Sequence, residues 1–176
     1  MDQLKVAWQG MERCLQRGLA RNIGVSNFAI PHLKAVLEVA TIKPAMNQIE
    51  MHPYLQQPKL LTFLREQEIA LEGFASLTPL TKAATGPVDD ICKQLAGKYG
   101  VSQSAILLRW VIDQGGSVVT TSGQEGRLAA CLKETPSFEL TQDEVAEISR
   151  VSAGKRYRGF FTEDFESLEQ QTQNGS

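Results

Sequence analysis

Between Asn22 and Leu132 the hydrophobic pattern changes from a short apolar run to a helical stripe and back, four times over. Few folds are open to a chain written that way. The first segment, LKVAWQGMERCLQRG, puts Leu4, Trp8, Met11 and Leu15 on one helical face, with Gly18 as a stop just beyond it. NIGV reads as a short strand, and Pro31 suits the first turn of a helix striped by Leu33, Val36, Leu37 and Ala40. Residues 45–49 and 69–75 read as strands on either side of a helix that Pro58 opens. The loop SLTPLTKAATGP has no period. Val88, Ile91, Leu95 and Tyr99 then mark one helix, and Ser102 caps the next, through Ala105, Ile106, Leu108 and Trp110. Residues 118–121 form the fourth strand, with Arg127, Leu128 and Leu132 on the helix after it. Thr141 and Glu144 make a capping box flanked by Leu140 and Val145. The polar end, EQQTQNGS, is expected to be disordered.

Alternation of this kind demands a parallel sheet with helical crossovers, an α/β fold. No GxGxxG or GxxxxGK[ST] follows any strand, which argues against a doubly wound dinucleotide fold and a P-loop fold. A closed (β/α)₈ barrel takes eight strands and about 250 residues; here there are four strands in 176 residues.

Composition narrows the function classes. A net charge of −2 gives no reason to expect nucleic acid or an anionic membrane as a partner. Cys14, Cys92 and Cys131 show no CxxC or Cys/His spacing, so neither a disulfide framework nor a metal site is implied. No apolar run approaches the roughly 18–20 residues of a membrane span, and a cytoplasmic location is expected.

Four phrases carry a family likeness: GLARNIGVSNF, PAMNQIEMHPYLQQPKLLTFLREQEIALEGFASLTPL, YGVSQSAILLRWVIDQG and VVTTSGQEGRL. In order and spacing the chain resembles the aldo-keto reductase family, particularly its fungal members, from about Trp8 to about Val151. The likeness is to the C-terminal half of that family's TIM (β/α)₈ barrel. It implies four parallel strands alternating with helices in an incomplete barrel over residues 1–152, and a C-terminal loop and polar tail over 153–176.

The likeness also implies NADP(H) as cofactor and a small-molecule carbonyl substrate, an aldehyde or ketone reduced to an alcohol. Ser26, Asn27 and Gln48 match the residues that hydrogen-bond the nicotinamide carboxamide. Phe74 stands where an aromatic stacks on the nicotinamide ring, a contact that uses the ring face and so survives loss of a Tyr hydroxyl. Leu77 matches a residue beside the pyrophosphate. Thr121, Ser122 and Arg127 match the segment that holds the adenosine 2′-phosphate, where a helix start and a guanidinium suit an anion. Thr121 replaces a Lys found in many members, and Ala130 and Cys131 replace an acidic residue and an Asn that contact the adenine.

The family's catalytic Asp, Tyr, Lys and His belong to the other half of the barrel, and no segment here matches their motifs. His52 and Tyr54, with Glu50 nearby, are the chain's own acid–base candidates, although EMHPY is ordinary scaffolding in the family. His32 reads as a surface or capping histidine, and Trp8 and Trp110 as packing residues. Tyr157, Phe160, Phe161 and Phe165 match a region that closes over the substrate. Half a barrel leaves two unpaired sheet edges. A homodimer or a second chain would complete it. The alternatives are a non-redox enzyme (isomerase, dehydratase or cyclase) on a dimerised half barrel, or an inactive cofactor- or partner-binding fragment.

Overall fold

The computed structural model describes residues 1–162 and Phe165. Its elements run α1 (Asp2–Gln16), β1 (Val25–Ser26), α2 (Ile30–Leu37), β2 (Met46–Glu50), α3 (Pro58–Glu66), β3 (Ala70–Phe74), α4 (Asp89–Tyr99), α5 (Gln103–Ile112), β4 (Gly116–Val119), α6 (Glu125–Glu134) and α7 (Gln142–Ser152). Short 3₁₀ turns cover Thr78–Leu80 and Thr135–Ser137. The strands form one open sheet in the order β1-β2-β3-β4, with β1 parallel to β2 in the register Val25 to Asn47 and Ser26 to Gln48. The strand–helix alternation is therefore as the sequence pattern requires. The polar end EQQTQNGS lies outside the described residues.

Two compact units divide the chain. The first holds Met1–Ile49, Gln57–Leu71 and the described residues from Phe160 on. Its α1 and α2 close on a cluster of Trp8, Ile23 and Val36. The Trp8 indole N–H donates to the Ile42 carbonyl at 3.0 Å. Met11 shares the face of Leu4 and Trp8 beside a cavity but stays exposed, whereas Glu12 is buried. The reason is polar. The Glu12 carboxylate accepts the N–H groups of Thr41 (2.7 Å) and Ile42 (2.8 Å), which would otherwise be left without partners in the loop before β2. The bond from Ile42, opposed by burial and helped by Thr41, holds the Glu12 pKa below the ordinary carboxylate value. β1 also starts later than NIGV suggests. Gly24 lies so close to β2 that a Cβ there would come 2.9 Å from the Met46 carbonyl oxygen, and ladder pairing begins only at Val25.

The second unit holds Glu50–Gln56 and Glu72–Gly159. At its centre α5 is buried from Ala105 to Val111, and a helix that is apolar nearly all round belongs inside. Ser102 caps it, its Oγ accepting the Ala105 N–H at 3.2 Å. Gly115, at φ +88, reverses the chain directly into β4, which therefore starts at Gly116, two residues before the expected 118. Arg127, Leu128 and Leu132 lie on α6 as expected, but the helix buries none of its residues and Leu132 is 79% exposed. Cys92 on α4 is fully buried; burial, with Asp89 nearby, pushes its thiol pKa up to about 12.

The capping box of α7 is present: the Glu144 N–H donates to Thr141 Oγ1 at 3.3 Å, and the Thr141 N–H donates to Glu144 Oε2 at 2.8 Å. Burial opposes the Glu144 charge, but bonds from Lys98 (2.7 Å), the Tyr99 hydroxyl (2.7 Å) and Thr141 outweigh it and bring the pKa from 4.5 down to about 2. A depressed carboxylate pKa adds stability that is present above about pH 4.5 and is lost as pH falls towards 2. Glu144→Gln is expected to cost about 1–2 kcal/mol at pH 7, the exposed Lys98 holding the figure down. The difference from wild type, read by urea melts, should close as pH drops through that window. A gap that stays constant down to pH 2 would show that charge is not its source.

Candidate functional site

In the first unit the stretch Ser26-Asn27-Phe28 is built against β2. Asn27 adopts φ +58, a left-handed conformation that Asn tolerates better than most residues. This turns its N–H onto the Gln48 carbonyl at 2.8 Å, where the Ser26 hydroxyl also donates at 3.1 Å. The Asn27 amide donates to Ser26 Oγ at 3.1 Å, and Ser26 faces Gln48 across the ladder. Ser26, Asn27 and Gln48 are thus brought together by one register and one backbone twist. Ser26 is exposed, and the other two are partly exposed.

The sequence reading missed a residue beneath them. Asn47 is fully buried, accepts the Phe28 N–H at 3.3 Å and donates to the Phe28 carbonyl at 2.8 Å, so it locks the chain just past the cradle. The only signal available was an Asn in the middle of a strand, where that residue is disfavoured without a partner. Phe28 meets His32 edge-on with ring centroids 5.5 Å apart, and His32 Nδ1 accepts the Ala29 N–H at 3.4 Å, the capping role expected of it. A cavity of about 220 Å³ lies beside β1, lined by Trp8, Met11, Val25, Phe28 and other mainly apolar residues, with Ser26 among them.

In the second unit Phe74 ends β3, and its carbonyl accepts the Met51 N–H at 3.1 Å. Ala75 follows at φ +55, a conformation that costs a non-glycine residue about 1 kcal/mol or more and tends to persist where a site needs it. The turn is held by Thr78, whose N–H (3.0 Å) and hydroxyl (2.8 Å) both donate to the Ala75 carbonyl. Leu77 lies in this turn, half-buried like Phe74. Thr121 and Ser122 come after β4, and Ser122 Oγ accepts the Gln124 N–H at 3.1 Å just ahead of α6. Arg127 lies exposed in the first turn of α6.

Each of these sets, taken by itself, offers its own chemistry. Two amides and a hydroxyl can serve a carboxamide, a half-exposed ring can take a heteroaromatic face, and a hydroxyl or a guanidinium can bond a phosphate. Among the described residues, no group of three or more His, Cys, Asp or Glu could hold a metal ion.

His52 and Tyr54 are also brought together, their rings 6.4 Å apart and edge-on, but both are closed from solvent. His52 Nε2 lies 3.2 Å from Glu50 Oε1, and the Tyr54 hydroxyl accepts the Val88 N–H at 3.5 Å. Burial raises the Tyr54 pKa, which makes its phenol a weaker acid. In this arrangement an exogenous substrate reaches neither side chain.

The sequence model of the Aldo/keto reductase family matches residues 3–153. The chain belongs to that family. It is 38% identical over 155 residues to an NAD/NADP-dependent indole-3-acetaldehyde reductase of Schizosaccharomyces pombe, a match covering 87% of this chain and 54% of that protein. With an NADPH-dependent alpha-keto amide reductase of Saccharomyces cerevisiae the identity is 40%, over 84% of this chain and 49% of that one. Methylglyoxal reductase DkgA of Escherichia coli is 35% identical over 89% and 56%. The crystal structure of a Bombyx mori aldo-keto reductase in complex with NADP superposes with a TM-score of 0.80 at 32% identity, covering 90% of this chain and 53% of that one. This aldo/keto reductase chain therefore spans about half the length of the relatives it matches, and its open four-stranded sheet is part of a barrel.

Proposed function

We propose that this chain is the cofactor-binding part of an NADP(H)-dependent aldehyde or ketone reductase. The observation that carries the reading is the β1–β2 register, which sets Ser26, Asn27 and Gln48 side by side with two donors shared on one carbonyl. The names of the relatives support it, since they are reductases of carbonyl compounds that use NADPH or NADH.

In this reading Ser26, Asn27 and Gln48 orient the carboxamide, and Phe74 keeps the ring in place and water off its face. Leu77 lies by the pyrophosphate, and Thr121, Ser122 and Arg127 hold the 2′-phosphate. When bound, the cofactor supplies the hydride. The proton and the orientation of the carbonyl call for the family's Asp, Tyr, Lys and His. A different chain completing the barrel would have to bring them, since a second copy of this one would only duplicate the cofactor cradle. Neither His52 nor Tyr54 supplies them while both stay buried. Three unpaired cysteines suit a reducing compartment such as the cytoplasm. The TTS segment at 120–122 resembles that of a fungal subgroup of the family.

Calorimetric titration with NADPH tests this. Saturable binding is expected, about tenfold weaker or more for Arg127→Ala, since a charge-assisted contact contributes about 1.5–3 kcal/mol. Phe74→Ala should weaken NADPH and NADH alike, whereas Arg127→Ala should leave NADH nearly unaffected. A folded chain that takes up neither nucleotide sinks the proposal.

A further inference from the structure

The segment Lys155 to Gly159 follows α7 without regular structure of its own, yet it is fastened at every second residue. The Lys155 ammonium donates to the carbonyls of Ala83 (2.8 Å) and Thr85 (3.2 Å) and stands 4.6 Å over the Tyr54 ring. The Tyr157 N–H donates to the Tyr54 carbonyl at 3.1 Å. The Gly159 N–H is shared between the two carboxylate oxygens of Glu50, at 2.9 and 3.0 Å. Lys155 is held by its side chain and residues 157 and 159 by their backbone N–H groups, so that the segment forms a strap across the loop that follows β2.

The Glu50 contact differs in kind from the others. Glu50 is 1% exposed, and a buried carboxylate is stable only where donors converge on it. His52 meets it from one side at 3.2 Å and the Gly159 amide from another. A bond to an ionised acceptor is roughly twice as strong as a neutral one. The approach is close: a Cβ at residue 159 would lie 3.2 Å from Glu50 Oε1 and 3.2 Å from Tyr157 Cε1, so a side chain there would push against the carboxylate. A glycine has no side chain to pack, so apolar contact cannot set its place.

We infer that Glu50 is a positioning residue whose carboxylate fixes Gly159, and with it the point from which the chain continues into Phe160 and Phe161. Those two aromatics are 36% and 52% exposed. The inference stands apart from the cofactor reading and is tested without nucleotide.

Lys155, Arg156 and Arg158 place three trypsin sites in the strap. In Glu50→Gln an amide N–H₂ or a single oxygen replaces the shared acceptor. Limited trypsin digestion of the full chain, followed site by site by mass spectrometry, should then cut the strap about tenfold faster or more. Cleavage after Lys133 on α6 should keep its wild-type rate. Gly159→Ala, whose Cβ crowds the carboxylate, should do the same from the other end, and the double variant should be no faster than either single one, because both weaken the same contact. Gly159 is exposed, so Gly159→Ala decides the matter alone if Glu50→Gln does not fold. Strap cleavage unchanged in a folded variant overturns the inference. So does equal acceleration at every site, or effects of the two substitutions that add.

Discussion

Trp110→Ala should lower the unfolding free energy by about 3–5 kcal/mol, a large part of what a domain of this size possesses. Among the described residues Trp110 is the largest of the fully buried side chains, and it lies near the end of the enclosed stretch of α5. Truncation leaves a cavity that the surrounding residues can only partly fill. It also removes the indole bond to Ser149 Oγ (3.0 Å), although Ser149 keeps its bond to the Val145 carbonyl at 2.8 Å. Trp110→Phe retains most of the volume and should cost less than half as much. Urea denaturation followed by circular dichroism measures both. A loss under about 1 kcal/mol for the alanine variant would mean that α5 is not the centre of its unit.

Asp113→Ala should follow closely, at about 3 kcal/mol. Arg109 and Asp113, one turn apart on α5 and its C-cap, form an ion pair with both side chains only 11% exposed. Asp113 Oδ2 also accepts the Arg109 Nε–H at 3.2 Å and the Leu140 N–H at 2.9 Å, which ties the end of α5 to the chain entering α7. Removing the carboxylate strands a buried guanidinium and a backbone donor together. The diagnostic comparison is Arg109→Met with Asp113→Leu in one chain. It should recover much of the loss, because no charge is then left unpaired. If the double variant is as unstable as Asp113→Ala, the cost lies in the Leu140 bond instead.

The parts of this fold written in the sequence are those with a period or a local cap. The strand–helix order, the Ser102 cap and the Thr141–Glu144 box all rest on residues within a few positions of one another. What escaped is polar and remote. Glu12 reaches a loop 29 residues away and Glu50 a glycine 109 residues away, and neither contact leaves a pattern in the chain. Met11 lies on the helical face its spacing gives it and is still exposed. Glu12 took the inward place because loop amides needed an acceptor.

The candidate site divides in the same way. Family likeness named Ser26, Asn27 and Gln48, but only the register shows that their order is fixed by a shared carbonyl. Asn47 could not be read at all, since its role exists only once Phe28 is folded back on it.

The burial of Cys92 gives this protein a timekeeper. Its thiol is shut behind α4 and held almost wholly protonated at neutral pH, so an alkylating reagent meets a thiolate there only after that helix has come away. Cys14 and Cys131 are partly exposed, so a reagent is expected to reach them on the native chain. The third label thus counts openings of the second unit, molecule by molecule, without any added probe.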